Sequence, residues 1–76
     1  MFEISELFDE FGTNIVIVSD FRIIANGMLV DCVVKNETTN EIEIWAGNPQ
    51  EDKYAEELIL SKAERKRIFE EILENY

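Results

Sequence analysis

Glu41-Ile42-Glu43-Ile44-Trp45-Ala46 changes side-chain character at almost every step. That period of two belongs to a β-strand: Ile42, Ile44 and Ala46 point one way, and Glu41, Glu43 and Trp45 the other. The strand decides the fold, because its apolar side demands a core and its acidic side should face water. Trp45 on the acidic side is the odd residue. A tryptophan flanked by carboxylates has the composition of an interface anchor. The plainer alternative is that a helix covers this side and makes Trp45 core. A homodimer formed through the face would satisfy both readings.

Working outward, Asn36–Asn40 is a polar loop, and before it Met28–Lys35 reads as one strand. Its alternation puts Met28, Val30, Cys32 and Val34 on one face, the core side, and Leu29, Asp31, Val33 and Lys35 on the other. Asn26-Gly27 is a strong hairpin signal, since a type I′ turn needs positive φ at both positions. It joins this strand to a preceding one at Phe21–Ala25. Ser19-Asp20 reads as a turn. Asn14–Val18 is apolar in both parities, which predicts a strand buried on both faces. Downstream, Gly47–Asp52 breaks the strand pattern. Tyr54–Leu60 alternates weakly and reads as a last edge strand or extended segment.

Helical spacing appears only at the two ends. Ile4, Leu7, Phe8 and Phe11 form an i, i+3, i+4, i+7 stripe, with Gly12 placed to close the helix. Ser61-Lys62-Ala63-Glu64 predicts a capping box, and Ile68, Phe69, Ile72, Leu73 and Tyr76 continue a helical stripe over about residues 62–75. The expected fold is α+β, a single domain over residues 1–76. A mainly antiparallel sheet of four to five strands would lie between a short N-terminal helix and a longer C-terminal one.

Composition narrows the chemistry. Seven Lys and Arg stand against seventeen Asp and Glu, a net charge of −10, so the surface as a whole should repel a phosphate backbone. The absence of histidine removes His-based triads, His general bases and His-ligated metals. Cys32, the lone cysteine, cannot form an internal disulfide or a Cys-cluster zinc site, and mid-strand on the core side it should be inert. No phosphate-binding glycine motif and no EF-hand spacing is present. No catalytic residue, metal or cofactor is expected. No stretch is long and apolar enough to span a bilayer, and the acid-interrupted N-terminus does not resemble a signal peptide. A reducing cytoplasm is the expected compartment.

Two charged groups remain as candidate contacts. Glu41, Glu43, Glu51 and Asp52, with Trp45, form the candidate partner-binding set; contiguous, they would attract a basic groove, and separate, they keep the domain soluble. Lys62, Arg65 and Lys66, with Arg67, crowd the start of the last helix against its dipole. They could contact an anion, or be neutralised by Lys66–Glu70, Arg67–Glu71 and Arg67–Glu70 pairs.

The leading helix Ile4–Phe11 and the ending Leu60–Leu73 resemble elements of small acidic proteins from bacteriophages and other mobile elements. The resemblance implies a setting rich in small inhibitors of host nucleic-acid machinery, among them anti-CRISPR and DNA-mimic anti-restriction proteins, and implies the host bacterial cytoplasm. The expected function is that of a non-catalytic protein occupying a basic, nucleic-acid-binding surface of a protein partner, without binding nucleic acid itself. The alternatives are a small oligomeric accessory or structural protein, and a nucleotide-binding protein with its site at a dimer interface near Lys62, Arg65 or Arg67.

Overall fold

A computed structural model describes residues 3–76. Its elements run α1 (Ile4–Phe11), β1 (Ile15–Ile17), a 3₁₀ turn (Ser19–Phe21), β2 (Ile24–Ala25), β3 (Met28–Leu29), β4 (Cys32–Lys35), β5 (Ile42–Ala46), β6 (Glu56–Glu57) and α2 (Lys62–Glu74). Four strands form an antiparallel sheet in the order β1-β4-β5-β6, and β2 and β3 form a separate hairpin. The architecture is α+β.

One end of each helix is fixed by a cap that the sequence encodes. The Gly12 N–H closes α1 on the Phe8 carbonyl. The Ser61 hydroxyl accepts the Glu64 N–H at 3.2 Å to start α2. Only half of the expected capping box forms, because the Glu64 carboxylate turns to Arg67 (3.0 Å) instead of reaching back. Asn26 and Gly27 both take positive φ, 56° and 76°, as the two-residue hairpin turn requires.

One core holds the molecule together. Leu7 and Phe8 of α1, Val16 and Val18, Ile23, Ala25 and Val30, Val33, Ile42, Ile44 and Ala46, Leu58, and Ile68 and Ile72 of α2 form a single buried cluster. Register explains the membership, since Val16 faces Val33 and Val33 faces Ile44 on one side of the sheet. α1 and α2 touch each other within this core, so both helices lie on the same side of the sheet and do not sandwich it. Beside the core the Tyr76 ring packs against Phe11 and Phe21, with centroids 5.5 and 5.2 Å away, and Phe11 and Tyr76 stay half-exposed.

Three further expectations need correction. The strand expected over Asn14–Val18 is not buried on both faces: Val16 and Val18 are buried, but Ile17 is 51% exposed. The run Met28–Lys35 is not one strand. It splits at Val30-Asp31, where Asp31 and Cys32 both oppose Trp45. Cys32 is the ladder partner of Trp45, and the Asp31 N–H donates to the Trp45 carbonyl at 2.9 Å. Two residues against one is a β-bulge, which inverts the alternation beyond it. Val30 and Val33 therefore share the core, while Cys32 lies on the opposite side of the sheet. The extended segment before Asn26 is also shorter than expected, only Ile24–Ala25.

Candidate binding face

The side of the sheet away from the helices carries two cross-strand rows. Ile17, Cys32, Trp45 and Glu57 form one, and Ile15, Val34 and Glu43 form the other. None of these residues belongs to the core cluster. The face therefore combines an apolar strip, Ile15, Ile17, Val34 and Trp45, with carboxylates at its β5–β6 end. Ile17 is half-exposed; Ile15, Val34, Glu43 and Trp45 are partly buried; Glu57 is exposed.

Hydrogen bonds fix the acidic end. The Trp45 indole N–H donates to Glu43 Oε1 at 3.0 Å, and the Asn36 amide donates to Glu43 Oε2 at 3.2 Å. Glu43 is thereby held beside the indole with both oxygens engaged. Partial burial, then the charge of Glu43 and to a lesser extent that of Glu41, keep the Glu57 carboxyl above its ordinary value, against the opposing pull of Arg65. The acids that add to this burial effect, Glu43 and Glu41, lie on the same strand, so carboxylates gather at the β5–β6 end of the face.

At the other end of the strip, Ile17 forms one wall of a shallow concavity with Asp31, Gly47, Glu51 and Asp52. Asp31 accepts the Gly47 N–H and Asp52 accepts the Tyr54 N–H, which rigidifies the Gly47–Tyr54 turn. Gly47 has φ of 90°, and a β-carbon there would come within 3.0 Å of the Ala55 side chain. The fold thus brings Glu43 and Trp45 together on one face, with Glu41 beside them along the strand. Glu51 and Asp52 stand at the far end of the same strip. Ile17 and Glu57 also belong to this face, which alternation alone does not show, because Asn14–Val18 is apolar in both parities and Tyr54–Leu60 alternates only weakly.

Cys32 lies between Ile17 and Trp45 in the cross-strand row, fully buried, with its sulfur 3.5 Å from the Gly47 carbonyl. Burial, and secondarily the charge of Asp31, push its thiol up to about 11. It is a packing residue of the open face and a poor nucleophile at neutral pH.

The basic residues at the start of α2 do not converge. The Arg65 guanidinium donates to the Ile42 carbonyl and lies 5.2 Å from the Phe69 ring centroid. Here the chain leaves the sheet, so Arg65 satisfies a β5 carbonyl that a longer β6 would have bonded. Arg67 bridges Glu64 at 3.0 Å and Glu71 at 2.7 Å, and also reaches the Ile24 carbonyl. Lys66 lies 3.9 Å from Glu70, while Lys62 is exposed at the first position of the helix. The Lys66–Glu70 and Arg67–Glu71 pairs follow the helical spacing, and Glu64 takes the place expected for Glu70 beside Arg67.

Among the described residues no group of three or more Cys, Asp or Glu side chains is arranged to hold a metal ion, and no helix is long and apolar enough to cross a membrane. The chain matches no family model, and no curated protein or solved structure is detectably similar to it.

Proposed function

We propose that this chain is a non-catalytic binding protein that occupies a basic, nucleic-acid-binding surface of a protein partner through its open sheet face. The observation carrying the reading is the cross-strand row Ile17-Cys32-Trp45-Glu57, beside Glu43, on a side of the sheet that no helix among the described residues covers. Trp45 anchors by its area, and Glu41, Glu43 and Glu57 steer by their charge. Glu51 and Asp52 extend the negative field beyond Ile17. The resemblance to small acidic phage proteins supports a partner in host defence or nucleic-acid processing.

The decisive experiment captures partners from a bacterial lysate on the tagged chain at low salt, elutes with a salt gradient, and repeats the capture with a Glu41→Lys/Glu43→Lys bait. The expected result is a stoichiometric nucleic-acid-binding protein that free DNA displaces and that the variant bait fails to retain. Its association should slow by about tenfold or more in the variant, with little change in dissociation. Between about 0.01 and 1 M salt the Debye length falls from about 30 to 3 Å, so unchanged affinity across that range would refute steering.

The half-exposed Ile17 also favours a second reading, in which two copies close over each other's open faces. Opposed carboxylates work against that arrangement. It predicts a melting temperature that rises with protein concentration, whereas the binding reading predicts a constant one.

A further inference from the structure

The sheet has two free edges, and they are finished differently. Along β1, antiparallel alternation turns the backbone groups of Ile15 and Ile17 outward, away from β4. Thr13 occupies part of that edge: its hydroxyl accepts the Ile15 N–H and donates to the Ile15 carbonyl, both at 3.2 Å. The chain then curls into the 3₁₀ turn at Ser19, which ends the strand. An edge blocked in this way offers little to a further strand.

Along β6 the edge is open. The Leu58 N–H donates to the Ile44 carbonyl at 2.8 Å, and Glu57 faces Trp45. Alternation therefore points the N–H and C=O groups of Glu57 away from the sheet, and Ile59, just past the end of β6, continues that alternation, exposed between Leu58 and Leu60, which turn to the core. Among the described residues no side chain hydrogen-bonds to either backbone. Leu58 is 5% exposed and Ile59 80%, so this part of the edge carries an apolar side chain fully presented to solvent. By strand parity Ile59 lies on the same open face as Glu57 and Trp45.

Charge selects what can pair there. A second copy added antiparallel in the register centred on Glu57 would set that carboxylate against its own copy, and like charges opposite one another across a ladder destabilise it. Charged edge residues are a common means of keeping sheets from self-pairing. The same acids, in a chain of net charge −10, favour a strand bearing Lys or Arg.

We infer that β6 is a docking edge, at which an extended basic segment of a protein partner adds as a further strand. Glu57 and Ile59 supply the main-chain bonds, and Glu57 and Glu43 meet the basic side chains. The inference rests on the binding reading above and narrows it from a basic surface to a basic strand.

The test uses the full chain and two acetylated, amidated peptides of sequence Lys-Val-Lys-Thr-Lys-Val-Lys. One is unmodified; the other is N-methylated at each interior residue, which keeps the charge but removes the donors on both peptide edges. Affinity is measured at low salt, and amide exchange at Glu57 and Ile59 is followed by NMR. The expected result is at least tenfold tighter binding of the unmodified peptide, with slowed exchange at those two amides. Equal affinity with unchanged exchange would overturn strand addition and leave the basic-surface reading standing. Failure of both peptides to bind would overturn both.

Discussion

Ile44 and Trp45 are neighbours in the chain and face opposite sides of the same sheet. Ile44 is fully buried beneath both helices; Trp45 lies on the side they leave bare, shielded mainly by Glu43 and its cross-strand neighbours. The two sides use similar β-branched residues, with Val16, Val33 and Ile44 on one and Ile15, Ile17 and Val34 on the other. What separates them is what lies above: two helices on one side, carboxylates and solvent on the other. The two helices of this domain cover one face of the sheet, and the second face stays open to solvent.

That contrast can be broken or sharpened by mutation. The largest effect should come from Ile44→Ala, which removes a buried side chain at a cost of about 2–5 kcal/mol. Since total stability for a domain of this size is about 3–5 kcal/mol, chemical denaturation should show the variant largely unfolded. Trp45→Ala, one residue away, should cost about 1–2 kcal/mol and leave a cooperative unfolding transition. It should also uncover Cys32, so that thiol labelling, slow in the parent chain, accelerates under native conditions. An equal loss of stability in the two variants would mean that the faces are not distinct.

Ile17→Thr keeps the β-branch on a half-exposed site and should change stability by no more than about 0.5 kcal/mol, while weakening partner binding. The smallest effect belongs to Glu57→Gln. The Glu57 carboxyl is raised in the folded state, so its protonated form is favoured there; the resulting stability is present at low pH and lost as pH rises through the raised value. At neutral pH the ionised group is mildly unfavourable. Glu57→Gln should therefore raise the melting temperature slightly at pH 7, and the gain should vanish below about pH 4. A loss at pH 7 would show that the Arg65 charge, not the neighbouring acids, governs the site.

The parts legible in the sequence were those with a strong local period. The stripes Ile4-Leu7-Phe8-Phe11 and Ile68-Ile72 gave both helices, Asn26-Gly27 gave the hairpin, and the alternation of Glu41–Ala46 placed Glu43 and Trp45 opposite the core. The sheet's uneven covering was not legible. Ile15, Ile17 and Val34 are as apolar as the core, and nothing local says that both helices will choose the other side. The bulge at Asp31-Cys32 was hidden for a related reason. It depends on a main-chain bond to Trp45, across a loop, and the one-residue slip carried Cys32 to the wrong face in any strict alternation. Arg65 was misleading because its role, satisfying the Ile42 carbonyl where β6 stops, exists only once the strands are paired.

Trp45 is the only tryptophan in the sequence, and it sits on the bare face. Its emission is therefore a built-in optical gauge for that face alone. A partner that dries the indole should shift the spectrum to shorter wavelength, unfolding should shift it to longer wavelength, and the two events can be told apart in one unlabelled sample.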